Sequence, residues 1–468
     1  MYLLLGSLIG LMFLGVPVAI SLSAASVLYV LFNGGIPDLM VAQRMIEGVN
    51  SFPLLAVPLF IMAGNLMNMC GITGRIYHFA LSLVGWMKGG LAQVNVMGSL
   101  VFSGMSGTAL ADAAGIGTIE IKAMKAHGYP VEVAVGITAA SATIGPIIPP
   151  SLPFVIYGML ANASIGALFL GGVVPGLVMT VFLMATITWL ARRRGWGVAV
   201  PFSLGVFSAA GLEIAIVLAF PLAAYLLVAT GMTVNAAVGV ALAVLLVLDY
   251  RFKFSAVMSL MTPMILIGGM TMGWFTPTEA ACAAVVWSLF LGFVRYRTMT
   301  LKMLAKASMD TIETTASVLF IVTAASIFAW LLTVSQGTEA FARLVLGITQ
   351  DKWVFLLMVN ILLLIVGCFL DTVAALTILV PILLPIAVKL GVDPVHLGLI
   401  MTLNLMIGLL TPPLGMVLFV LAKVSNLSVE RTTMAILPWL APLLLSLVAI
   451  TCIPELTLWL PKQFGLLR

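Results

Sequence analysis

Two stretches place glycine, paired prolines and hydroxyl side chains deep inside apolar text. Gly145-Pro-Ile-Ile-Pro-Pro-Ser151 and Gly408-Leu-Leu-Thr-Pro-Pro-Leu414 each interrupt a run that would otherwise read as one membrane helix. Proline lacks an amide proton and its ring clashes with the preceding turn, so the helix must break at both places. In hydrocarbon a broken backbone survives only inside protein or along a polar cavity, because each unsatisfied group costs several kcal/mol. The break leaves free carbonyls on one half-helix and free amides on the next; the carbonyls suit a dehydrated cation and the amides an anion. Ser106, Thr108, Ser151 and Thr411 add hydroxyls at the same places. Oxygen cages without fixed charge suit Na⁺ better than Zn²⁺ or copper, which would draw His or Cys. For any single residue, tight helix packing by Gly, Ser and Thr is an equal alternative.

Ionisable residues inside such segments default to functional candidates. Asp371 falls at the tip of a hairpin, as a coupling-ion or substrate residue, as a cap on the helix that follows, or as both. Asp112 and Glu120 lie eight apart on one arm of an earlier hairpin, where an ion pair with Lys122 or a loop residue competes with a functional role. Glu279 follows Pro277 at a helix start and reads as structural. His78, His127 and His396 lie at segment ends and read as loop residues. Cys70, Cys282, Cys368 and Cys452 are scattered singly and read as small hydrophobes, implying neither disulfides nor a metal site.

The two breaks belong to one duplication. Gly145 falls on Gly408, Ile148 on Thr411, Gly104 on Gly367 and Thr108 on Asp371, each pair 263 positions apart. Further upstream Pro17 falls on Pro277 and Phe60 on Phe320, 260 apart. Two interrupted membrane segments at matching positions of two halves are the sequence signature of a secondary transporter's binding site.

Composition sets the class. With 62% hydrophobic and 8% charged residues and a mean hydropathy of +1.23, the chain cannot be a soluble globule, whose charged share is about 25%. Apolar runs of about 20 residues, enough to span the bilayer, recur from end to end. The expected fold is an all-α polytopic membrane protein built as an inverted repeat with two re-entrant hairpins and two broken helices. Residues 1–195 form the first half, with a hairpin at about 93–125 and a broken helix at 130–160. Residues 196–256 form a linker with two extra transmembrane helices. Residues 257–468 form the second half, with a hairpin at about 353–390, a broken helix at 394–424 and a last helix at 435–461. Tyr2 to Phe32 lacks a basic leader and a cleavage site and reads as a retained span. Basic clusters at Arg192–Arg194, Arg251 to Lys253 and Arg295 to Lys306 mark one face, cytoplasmic by the positive-inside rule. The net charge of +5 is ordinary for such loops and does not suggest nucleic acid.

An enzyme would need a nucleophile and base at depth, and none is placed there. No phosphate loop of the GxxxxGK[ST] type occurs, so nothing in the sequence supports ATP coupling.

At SGMSGTALADAAGIGTIEIKAM, SATIGPIIPPSLPFVIYG, FTPTEAA, FLDTVAALTILVPILLPIA and GLLTPPLGMVLFV, the chain closely resembles the large membrane subunit of TRAP (tripartite ATP-independent periplasmic) transporters. The resemblance implies an inner-membrane carrier that works as an elevator, driven by a Na⁺ gradient. It implies uptake of a small organic acid, such as a C4-dicarboxylate or sialic acid, delivered by a periplasmic substrate-binding protein, with a small four-helix membrane subunit as partner. A self-sufficient ion-coupled carboxylate carrier is the alternative. Carried onto this chain, the family's two Na⁺ sites fall at Ser106, Thr108, Gly145, Ile148 and Pro150, and at Gly367, Gly408, Thr411 and Leu414. Substrate is expected between the hairpins, near Ser106, Ser151 and Asp371. The apolar pair over 208–250 looks like an insertion relative to that family and is expected to pack on the outer scaffold, facing lipid or a partner subunit.

Overall fold

A computed structural model describes residues 2–33, 37–197, 201–230, 232–252, 254, 256–271, 274–412 and 415–467. Among these there are helices and no strand. The chain begins with α1 (Tyr2–Phe13), α2 (Val18–Asn33), α3 (Asp38–Val49), α4 (Ala56–Met69) and α5 (Ile72–Val84). Next come α6 (Gly90–Ser106), α7 (Ala109–Ala114), α8 (Ile116–Ala126), α9 (Val131–Ala142), α10 (Leu152–Ala161) and α11 (Ile165–Arg194). A helical pair follows, α12 (Leu204–Ala229) and α13 (Val234–Phe252).

The remainder opens with α14 (Val257–Pro263), a π-helical turn, the short α15 (Gly269–Thr271) and α16 (Pro277–Phe290), itself continued by a π-helical turn to Arg295. It proceeds through α17 (Leu301–Val334), α18 (Gly337–Ile348), α19 (Lys352–Gly367), α20 (Thr372–Lys389) and α21 (Pro394–Gly408). It closes with α22 (Met416–Ser425), α23 (Val429–Cys452) and α24 (Glu455–Gln463). Among the described residues, seven helical segments are long and apolar enough to cross a membrane, including α11, α12, α17, α20 and α23.

Local chemistry explains the punctuation. Thr276 and Glu279 form a reciprocal capping box at the start of α16, with Pro277 at the first helical position, so Glu279 is spent on helix initiation. Ser164 caps α11 and Ser428 caps α23, and each helix is preceded by an asparagine in the left-handed region, Asn162 (φ 49) and Asn426 (φ 59). Asparagine tolerates that conformation better than other side chains, which ends α10 and α22 sharply.

Three expectations shift. The last segment is two helices, because Pro454 ends α23 and starts α24. His396 is not a loop residue: Asp393 and Pro394 start α21 three residues earlier, which buries the ring, and its Nδ1 lies 2.8 Å from Thr457 Oγ1 on α24. Glu120 is buried and forms no ion pair among the described residues; neither carboxylate oxygen has a hydrogen-bond partner there.

In the packed interior, α6 lies on α9 and α19 on α21, joining each hairpin's first arm to the first half of the neighbouring broken helix. Each contact carries a buried amide clasp. Asn95 donates to Thr138 Oγ1 (2.7 Å) and accepts from Ser141 Oγ (2.6 Å). Asn404 donates to Asn360 Oδ1 (2.7 Å), and Asn360 in turn donates to Thr451 (3.3 Å). The second halves of the broken helices cross over. α10 packs on α20, and α22 packs on α7; the Tyr157 hydroxyl of α10 donates to Pro394 O (2.5 Å) at the head of α21. α17 runs beside this core and touches α2, α3, α4 and α20.

The pair α12–α13 stands apart from both breaks. α12 packs on α5, α14 and the adjoining π turn. Phe79, Ala210 and Ala256 form a small separate core there. Glu213 Oε2 accepts from Ala256 N (3.1 Å), and Asp249 pairs with Arg295 (2.5 Å).

Candidate functional site

In the first half, α6 ends where Gly107 takes a left-handed conformation (φ 65) that a side chain would strain. Gly107 O accepts weakly from Leu152 N (3.5 Å), and a methyl on Gly107 would lie 2.6 Å from Pro150 O. The hairpin tip is thus seated on the break. Gly145 backs onto the buried Asp112, whose Oδ2 would be 2.6 Å from a methyl there. Ile148 points away, against Gly176 on α11. Ser151 is fully buried; its hydroxyl donates to Pro146 O (2.5 Å) and accepts from Phe154 N (3.3 Å), which caps α10.

In the second half the approach is closer. A methyl on Gly408 would lie 2.6 Å from Gly367 Cα, so the backbones of tip and break touch. Thr411 Oγ1 donates to Gly408 O (2.7 Å) and sits 2.9 Å from Cys368 Sγ, one residue past Gly367. The carbonyls of Leu409 and Thr411 both turn toward Gly415, at 2.5 and 2.9 Å from where its methyl would be. Leu414 lies outside the described residues, as does Pro413. The groups at the two seats are mostly backbone carbonyls and hydroxyls, with the Asp112 carboxylate behind Gly145 and the Cys368 thiol beside Thr411, and no cluster of three or more His, Cys, Asp or Glu occurs among the described residues. That donor chemistry fits a hard monovalent cation.

Between the two tips lies a cavity of about 400 Å³. Thr108 of the first tip and Asp371 of the second line it, with Pro146 and Leu152 from one break and Met406 and Leu409 from the other. The remaining wall comes from α4 through Gly64 and Asn65, and from α17 through Thr314 and Val318. Asn65 is held by a 3.0 Å hydrogen bond to Thr311. Asp371 also caps α20, accepting from Val373 N at 3.0 Å, so the capping reading and cavity exposure coexist. Ser106 ends α6 at the first tip, and Ser151 is walled off behind the break.

Sequence reasoning missed Asn65, Thr314 and Cys368. The first two sit on ordinary helices that no break or repeat marks, and the third was discounted as a small hydrophobe. Asn95, Asn360 and Asn404 carried a usable signal, as amides stranded in apolar runs.

The family model for the DctM component of tripartite ATP-independent periplasmic transporters matches residues 5–456. The chain belongs to the DctM family. The sialic acid TRAP transporter large permease protein SiaM of Vibrio cholerae is 40% identical over 456 residues, 97% of each chain. SiaT, a sialic acid TRAP transporter permease protein of Haemophilus influenzae, is 37% identical and is covered over 67% of its length by 97% of this chain. The C4-dicarboxylate large permease protein DctM of Pseudomonas aeruginosa is 35% identical over 425 residues, 91% of this chain and 90% of its own. The family match runs through α12–α13. The fold resembles that of the YdaH transporter of Alcanivorax borkumensis, with a TM-score of 0.59 at 14% identity over 94% of this chain and 90% of that one. With its apolar spans, this DctM protein is a multi-pass protein of the bacterial inner membrane.

Proposed function

We propose that the chain is the large membrane subunit of a Na⁺-coupled secondary transporter that takes up a small carboxylate, of the sialic acid or C4-dicarboxylate kind its relatives are named for. A periplasmic binding protein delivers the substrate and a small four-helix membrane subunit completes the carrier. The observation that carries this reading is the cavity that both hairpin tips and both helix breaks share with α4 and α17. Residues 1–195 and 257–468 act as inverted halves, each with a re-entrant hairpin seated on its own break. One Na⁺ sits at each seat, held by the oxygens at Ser106, Thr108, Gly145, Ile148 and Pro150 in the first half. The second is held at Gly367, Gly408, Thr411 and Leu414. Neutral ligands strip and bind a small cation without trapping it, which a transported ion requires.

Substrate lies in the cavity between Thr108 and Asp371, against Asn65 and Thr314. The hairpins and broken helices travel together past the fixed α4 and α17 as an elevator, because the amide clasps and the crossed half-helices bind them into one body. Uptake by proteoliposomes holding both membrane subunits, with the binding protein outside, requires an inward Na⁺ gradient. In that assay Asp371→Asn abolishes uptake while the protein stays folded and inserted. Asparagine caps a helix as well as aspartate, so full uptake by the variant would leave Asp371 a cap alone and remove it from the site.

A further inference from the structure

A second, apolar cavity shares no lining residue with the one between the hairpin tips. About 830 Å³ in volume, it runs between the α12–α13 pair and the start of the second half. Phe220 and Pro221 of α12 and Val238, Gly239, Leu242 and Leu246 of α13 form one wall; Trp274, Phe275, Val286, Trp287 and Phe290 stand on the other. Its walls belong to helices whose outer faces expose Leu218, Leu222, Val244 and Val286, so the groove opens toward hydrocarbon. Along α13 the lining from Val238 to Leu246 covers about 12 Å at 1.5 Å per residue. A groove of this size falls within the roughly 300–1,000 Å³ of pockets that enclose a small molecule.

One end of the groove is charged. Asp249 follows Leu246 by one turn and pairs with Arg295, which follows Phe290 at the end of the π turn. Arg295 also lies 5.8 Å from the Tyr296 ring, and Arg75 of α5 lies over the same ring at 4.0 Å. Arg75 forms no ion pair among the described residues. Two guanidinium groups therefore share the Tyr296 ring, one of them paired with Asp249, while the nearby Glu213 carboxylate is bound to the Ala256 amide and Arg251, two residues past Asp249, is exposed. Tyr296 is itself fixed by Ser259, 3.0 Å from its hydroxyl.

We propose that this groove is a binding site for one anionic glycerophospholipid, an acyl chain lying along α13 between Phe220 and Trp287 and the phosphate meeting Arg75 and Arg295. An apolar slot whose end carries Arg75, without an ion pair among the described residues, beside the Arg295–Asp249 pair matches an anionic amphiphile better than anything uniformly apolar. A helix of a partner protein would bring no phosphate to that end. The lipid fills the space beside Gly268, Gly269, Trp274 and Phe275 and holds the α12–α13 pair against them.

The membrane complex, purified in detergent and exchanged to remove loose lipid, tests this with phosphatidylglycerol and phosphatidylcholine of identical brominated chains. Brominated phosphatidylglycerol quenches Trp274 and Trp287 emission saturably, at a half-saturating concentration at least tenfold below that of the phosphatidylcholine. Arg75→Gln removes that preference without removing quenching. Gly239 has no atom within 4 Å of where its methyl would be, so Gly239→Phe fills the groove without moving its walls, and quenching disappears. If that variant fails to fold, Trp287→Phe serves instead and removes most of the quenching signal. Equal quenching by the two lipids, quenching that survives Gly239→Phe, or a Gly239→Cys crosslink to the small membrane subunit would overturn the assignment.

Discussion

Thr411 holds two neighbours with one hydroxyl: the carbonyl of Gly408 in its own break and the Cys368 thiol at the facing tip. Removing it strips a ligand from the proposed second Na⁺ site and unties tip from break in the same step. Thr411→Ala is expected to lose about 1–3 kcal/mol, the scale of a polar partner left unsatisfied, which is roughly a five- to hundredfold loss in Na⁺ affinity. Thr411→Ser keeps the hydroxyl and most of the affinity. Uptake by the alanine variant at an unchanged Na⁺ half-saturation would exclude Thr411 from the site. At this scale the sequence was most informative where residues contradict their surroundings. Glycine, paired proline and aspartate have no business in apolar helices, and Gly145, Gly408 and Asp371 were singled out for that reason. Asn65 and Thr314 were not, because a lone polar residue on a regular helix does not say which way the helix faces.

Helices α19 and α21 meet without side chains between them at Gly367 and Gly408, and this contact sets how tightly hairpin and break fit. Gly408→Ala places a methyl 2.7 Å from Gly367 C, where backbone and not a flexible side chain must yield. The expected result is a loss of about 1–3 kcal/mol of stability from overpacking, read as a lower thermal midpoint in detergent together with weaker Na⁺ stabilisation. An unchanged midpoint would show that tip and break are looser than their geometry. The breaks and hairpins were legible as elements because proline and glycine punctuate them and because the same punctuation occurs twice. The neighbours of α12 were not. Its apolar residues run all round the helix, as lipid-facing spans do, so the pattern names no contact face; the bond from the Ala256 amide to Glu213 supplies an anchor.

Across the whole molecule, α10 rests on α20 and α22 on α7, so each half completes its hydrophobic contacts with a segment from the other. Chains split between α11 and α12 are therefore expected to reassemble when expressed together and to fail alone. Size-exclusion chromatography in detergent checks this: a monodisperse N-terminal fragment on its own would show the exchange to be dispensable. The exchange also bears on ancestry. If both halves descend from one shorter gene, that gene's product had the same two faces to cover and no second half to cover them. It could have done so only as two identical chains around a twofold axis, each lending its last half-helix to the other. Fusion would then have joined a working homodimer into one polypeptide, and only after fusion were the two cradles free to diverge, one keeping Thr108 where the other carries Asp371.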